Sequence, residues 1–440
     1  MIDNFRRLID KYSTFYDNIS VCVTESGSKS VQLNGFELEN IEVSDDVSVS
    51  VRAYKDGRLI AFGYDGSDTD FADASLRDHQ KIISLLPEDY NRYIPAMADV
   101  SMSPEYDEDI RGVDTGRLIA AASDAVRAAL DSDSRVKYVK QSSAEASEQK
   151  RTLISRDGLL SDISTYYSSS VYLIAESGTA GNSGGQDAYG VADSVYFSGL
   201  SHTQAAREAA DKACGLLNPK RLRTAKYGIL FTPEVTAEFL DLILELVNAE
   251  NVYKNMSILA GKLGDKCASG LTLTDDPFIK RGTGSRFFDS EGQTSQKTII
   301  FNNGLLESYL HNSYTAKAMG MKNTANAVMI KNGNVGISCS NVKIDATTDK
   351  KPYDFMSEYV KVSEVMGMHT ADVVSGDFSV GISGIYYKNG EPAHAFREAV
   401  LSGNLKDMLN SLIHVFDNHK TFGGITSAAA LFDKMTVSGE

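Results

Sequence analysis

The chain has 440 residues, 42% hydrophobic and 23% charged, a globular composition too long for one ordinary core, so two or three domains are expected. Its formal charge of -15 opposes non-specific adhesion to nucleic-acid phosphates, which depends on cation contacts. Its most apolar helical stretch, Ile229 to Val247, carries Pro233, Glu234, Glu238, Asp241 and Glu245, which excludes a membrane span.

The N-terminal segment, residues 1–90, opens on an amphipathic helix with Ile2, Phe5, Leu8 and Ile9 on its apolar face. Arg6, Arg7 and Lys11 are followed by no apolar run, so no secretory signal is expected there. Strands follow: Val47, Val49 and Val51 alternate with polar residues, and Asp56-Gly57 supplies a tight hairpin turn before Leu59. Residues 91–113, with Pro95, Pro104 and the acidic run Glu105 to Asp109, read as a linker.

A middle domain, residues 114–218, begins with a helix over Gly116 to Leu130 and continues with strand-like runs at Val136 to Val139, Arg151 to Ser155 and Ser168 to Ala175. The Gly-rich stretch Gly178 to Gly190 lacks the setting of a nucleotide loop and reads as a surface loop. Ser201 and Gln204 have capping-box spacing before a helix carrying Ala205, Ala206, Ala209, Ala213 and Leu216. In the largest segment, residues 220–440, Asn303-Gly304, Asn332-Gly333 and Asn389-Gly390 fit two-residue hairpin turns. Three such turns predict a mainly antiparallel sheet, with helices from Pro233 and Leu405 packed on it. The fold class is α+β: N-terminal α/β segments, then a larger C-terminal domain whose sheet is flanked by helices.

Leu271 to Ala325 contains the blocks DDP, GSRFFDSEG, NNGLLESYL and SYTAKAMG in that order. Further blocks are ISRDGL (Ile154 to Leu159), SILAGKLGDKCAS (Ser257 to Ser269), GDFSVGISG (Gly376 to Gly384), YKNGEPAHAFREAVLSGNLKDML (Tyr387 to Leu409) and MTVSG (Met435 to Gly439). Across nearly its whole length the chain resembles the TldD/PmbA family. That resemblance implies one of two subunit types. TldD-type subunits carry an HExxxH helix whose histidines bind zinc, whose Glu is the general base on metal-bound water, and whose ligand set a C-terminal Cys completes. PmbA-type subunits, also called TldE, lack the motif.

The strand Tyr227 to Phe231 leads into the helix in question, with Thr232 as cap, Pro233 in its first turn and an apolar stripe of Val235, Phe239, Leu242, Ile243 and Leu246. Laid on the family motif, the first His position falls on Pro233, the Glu on Glu234 and the second His on Glu238. No His in the chain precedes a Glu, and Thr421 to Glu440 contains no Cys. The resemblance therefore implies a PmbA/TldE-type subunit with no metal of its own, zinc residing in a TldD-type partner. Glu234 at a helix N-terminus is accounted for by the macrodipole.

Other constellations are weaker. His414 and His419, with Asp417, are too far apart around a helix to share a metal and read as solvated. Asp275-Asp276-Pro277 reads as turn chemistry. Asp289 and Glu291 are either turn residues or carboxylates lining a substrate cleft. The thiols Cys22, Cys214, Cys267 and Cys339, without CxxC spacing, read as reduced and core-packed, which suits the cytoplasm.

The expected function is that of a subunit in a cytoplasmic TldD/TldE-type metallopeptidase complex acting on unfolded or small peptides, captured by strand addition. The expected partner is a TldD-type zinc subunit, or a second copy of this chain. The alternatives are a non-catalytic regulator of the gyrase-modulator type, or a self-contained hydrolase with a different metal site.

Overall fold

The computed structural model describes residues 1–100, 102, 104–178, 184–330 and 332–439. One long antiparallel sheet organises the first half. Its strands are β1 (Asn18–Asn34), β2 (Glu37–Lys55), β3 (Arg58–Asp65), β4 (Val136–Ser155), β5 (Gly158–Glu176) and β6 (Gly185–Ser194), in the spatial order β3-β2-β1-β4-β5-β6. Because β1 pairs with β4 from Ser20↔Ser155 to Leu33↔Ser142, the chain on either side of residues 91–113 contributes to the same sheet. Period-two alternation turns Val21, Val23 and Val31 to one face, where four helices cover them. Of these, α1 (Ile2–Tyr12) and α2 (Thr69–Ile82) cover Val21, Val23, Val49 and Val51. At the other end, α3 (Thr115–Ser132) and α4 (His202–Gly215) bury alanine-rich faces against Val139, Val171 and Leu173.

Three expectations need correction here. Val136 to Val139 and Arg151 to Ser155 are the two ends of one strand, β4; its polar middle is held by backbone pairing to β1 on one side and β5 on the other. Within the Gly-rich stretch, residues 179–183 lie outside the described residues, but Gly185 onward is strand β6. Gly190 serves packing there, since a Cβ would sit 2.4 Å from the Ala205 carbonyl oxygen of α4. Ser201 caps α4 only through its backbone and makes no side-chain capping bond, while the Gln204 amide donates to Glu208 instead.

The second half adds β7 (Ala225–Phe231), α5 (Pro233–Val247), α6 (Ala249–Tyr253), β8 (Leu273–Asp275), β9 (Thr298–Asn302), β10 (Leu305–Leu306), α7 (Ser313–Met319), β11 (Ala327–Met329), β12 (Val335–Ile337) and β13 (Val342–Ile344). It ends with β14 (Glu358–Met366), β15 (Asp377–Lys388), β16 (Glu391–Asn404), α8 (Leu405–Asn410), β17 (Leu412–Val415), β18 (Lys420–Phe422), β19 (Ile425–Ser427) and β20 (Ala430–Ser438). One sheet runs β16-β15-β14-β7-β20-β17, and β16 also pairs with β20, so five of its strands close into a ring. A second sheet runs β10-β9-β8-β13-β19-β18. Pairing is antiparallel except at β7–β14 and β13–β19. The class is α+β. α5 packs Phe239 on Phe231 of β7 (ring centroids 4.6 Å) and against Phe378 of β15, inside the largest apolar core.

The expected hairpin turns are present at Asp56-Gly57, Asn303-Gly304 and Asn389-Gly390, each with φ above zero at both positions. Asn332-Gly333 instead belongs to a longer connection, between Met329 and Val335. At Gly304 the demand is double. Its φ is +86° and a Cβ would lie 1.9 Å from the Ala268 carbonyl oxygen. Gly304→Ala is expected to cost at least about 2 kcal/mol, seen as a lower urea midpoint at unchanged slope.

Candidate functional site

The chain leaves β7 at Phe231 and enters α5 at once. Thr232 Oγ1 accepts the Val235 N–H (3.4 Å), and Pro233 occupies the first turn, where a missing N–H costs nothing. The Pro233 carbonyl accepts from the Ser427 hydroxyl at 2.6 Å, tying the helix start to β19. Glu234 is held by Lys212 of α4 (3.2 Å), which also reaches Glu364 on β14 (3.5 Å). One turn on, burial together with the Glu234 carboxylate pushes the Glu238 carboxyl up to about 7, with Lys212 opposing.

Pro233, Glu234 and Glu238 thus cluster at one helix start, and none of them is an imidazole or a thiolate. The Pro233 ring has no ligand atom, and Glu234 is paired with Lys212. Among the described residues no group of three or more His, Cys, Asp and Glu is placed to share a metal ion.

Pro233 and Glu234 line the mouth of a cleft of about 870 Å³ between α4 and the outer face of the strand ring. Alternation along β14 sends Val360 and Val362 into the core and Tyr359, Lys361 and Ser363 into the cleft. Leu230 of β7 and Ile385 and Tyr387 of β15 complete this floor, with Tyr359 and Tyr387 stacked at 5.0 Å. The Lys361 side chain makes no hydrogen bond or ion pair with any described residue. Burial, and secondarily Lys420, lowers its ammonium pKa. In the sequence, Lys361 is marked only as a lysine between Tyr359 and Ser363 in an otherwise β-prone run.

Asp289 and Glu291 do not line this cleft. They face inward, 0% and 6% exposed. Asp289 accepts backbone N–H groups from Glu291, Gln293 and Ala327, as a turn carboxylate does. Burial and the Glu291 charge raise its carboxyl to about 6. Glu291 pairs with Arg52 of β2 at 2.9 Å and accepts the Ser313 N–H at 2.8 Å. Asp276 accepts the Phe278 N–H, as the turn reading requires, whereas Asp275 is a buried residue of β8 bonded to Asn326 and Ser340.

His414 lies on strand β17 and not on a helix. Its Nδ1 is 3.1 Å from Thr347 Oγ1 and its ring packs on Phe355. His419 turns away, its Nε2 2.9 Å from the Ile344 carbonyl oxygen and its Nδ1 3.4 Å from Asp417. Cys22, Cys214 and Cys267 are buried free thiols, and Cys339 is half-buried, its thiol pushed up to about 12 by desolvation first.

The family model for the PmbA/TldA metallopeptidase C-terminal domain matches residues 224–439, and that for its central domain matches residues 108–217. The chain belongs to the TldD/PmbA family. It is 26% identical over 436 residues to the metalloprotease PmbA homologue of Haemophilus influenzae, covering 95% of this chain and 92% of that one. Among solved structures, a Thermotoga maritima protein described as a candidate modulator of a DNA gyrase superposes with TM-score 0.89 at 22% identity, all of both chains being covered. TldE from Thermococcus kodakarensis gives 0.87 at 18%, covering 99% of this chain and 100% of its own. At these identities the superpositions show the shared fold. No helix among the described residues is long and apolar enough to cross a membrane.

Proposed function

We propose that this TldD/PmbA-family chain is the PmbA/TldE-type subunit of a cytoplasmic metallopeptidase complex acting on unfolded or small peptides, with the catalytic zinc in a TldD-type partner. The observation that carries the reading is the start of α5. The family's motif positions are held by Pro233, Glu234 and Glu238, and the first carboxylate is spent on a cation of the neighbouring helix. Those residues hold the helix in place and brace it on α4 and β14. They supply neither the neutral imidazoles nor the open water position that metal-assisted hydrolysis requires.

The test is reconstitution. The pure chain is expected to leave unstructured peptides intact, and adding a TldD-type partner is expected to produce cleavage that chelators abolish. Cleavage by the chain alone in the presence of chelator would sink the reading. So would stoichiometric zinc that stays with the purified chain and supports hydrolysis.

A further inference from the structure

The cleft beside α5 is equipped to do more than brace a helix. Lys212 is neutralised by Glu234 and Glu364, and Lys420 by Glu208. Lys350 and Lys351 also line the cleft without an ion pair among the described residues, but they are exposed to water; Lys361 stands half-buried on the floor with no ion-pair partner among the described residues, its charge partly withdrawn from water. Removing an ammonium from water without an anion is costly, so a floor lysine left unpaired is poised to take one from a ligand. Next to it the surface is apolar and aromatic: Ile385 and Tyr387 are half-buried, and Tyr387 stacks on the buried Tyr359 behind it. The Ser363 hydroxyl, two residues along the same strand face, adds a neutral donor.

We propose that this cleft binds the free C-terminal carboxylate of a peptide, with Lys361 as the cation that receives it and Tyr387, backed by Tyr359, as the shelf for the adjoining apolar side chain. A charged partner and an apolar shelf side by side match a terminal residue, which carries a carboxylate and a side chain on one carbon. An inorganic anion would use the lysine and leave the shelf idle. The choice of a peptide rests on the peptidase-complex reading above, but binding is a property of this chain alone and is tested without a partner.

The experiment is calorimetric titration of the full chain with a short unstructured peptide ending in Leu or Phe, as the free acid and as the C-terminal amide. The free acid is expected to bind at least about tenfold more tightly than the amide, because amidation removes the charge that Lys361 pairs with. In Lys361→Met that preference is expected to disappear, and in Lys361→Arg to return in large part, circular dichroism melts confirming that both variants fold. Equal affinity for acid and amide would overturn the proposal, as would binding of neither. Competition by millimolar inorganic phosphate as effective as that by the free-acid peptide would also overturn it, by marking a general anion site. Reconstituted peptidase activity is a separate readout: it can persist if the carboxylate site fails, or be missing while the site holds.

Discussion

Arg52→Met is expected to destabilise the fold by about 3–5 kcal/mol, the usual cost of leaving one member of a buried pair uncompensated. Arg52 and Glu291 are 5% and 6% exposed, and their 2.9 Å contact joins β2 of the first sheet to the connection between β8 and β9. With the guanidinium gone, Glu291 keeps one strong bond, from the Ser313 N–H, and no countercharge. The double variant Arg52→Met/Glu291→Gln is expected to recover part of the loss, since removing both charges removes the desolvation penalty with the attraction. Urea unfolding of the parent, Arg52→Met, Glu291→Gln and the double variant gives the coupling directly. A single variant within about 1 kcal/mol of the parent would show that water reaches Glu291, and that the pair does not clamp the two halves.

That pair also marks where sequence reasoning stops. Turns were legible because their chemistry is local: Asp56-Gly57 and Asn389-Gly390 sit at positive φ, where few other residues fit. The start of α5 was legible for the same reason, through Thr232 and Pro233. The turn role of Asp289 was equally local. Its neighbour Glu291 meets an arginine 239 residues away, and nothing near DSEG announces it. Local periodicity also misled. Leu405, Met408, Leu409, Leu412 and Ile413 are spaced for a helix, yet α8 ends at Asn410 and Leu412 to Val415 pair with β20, because the sheet offers that segment backbone partners. The floor of the cleft was hidden differently. Tyr359, Lys361 and Ser363 alternate with Val360 and Val362, which announces a strand but not that its polar face is roofed by α4. Family blocks located the domain, and only the packing revealed that Lys361 stands half-buried on the cleft floor with no ion-pair partner among the described residues.

A second large effect is expected on the acid side. His311 is 2% exposed, its Nδ1 lies 3.1 Å from Thr315 Oγ1, and burial lowers its pKa to about 4. An unfolded chain takes up this proton near pH 6.5, roughly the unperturbed histidine value, whereas the folded chain resists it until near pH 4. Between those values the unfolded state binds more protons, so stability falls as pH falls. The contribution is fully present above the unfolded value and is lost on the way down through the folded one. A gap of that size is worth about 3 kcal/mol. Asp289 and Glu238 run the opposite way: their raised carboxyls cost stability as pH climbs through the window between the ordinary carboxylate range and about 6 and about 7. The raw profile therefore mixes slopes of both signs, and the variant His311→Gln isolates one of them, since the two carboxyls are common to both chains. Subtracting the two unfolding free energies at each pH, the parent's advantage over His311→Gln is expected to shrink by about 3 kcal/mol from pH 7 to pH 4. A difference that stays flat across that range would mean that the imidazole accepts its proton inside the fold, and that the core around α7 admits water to it.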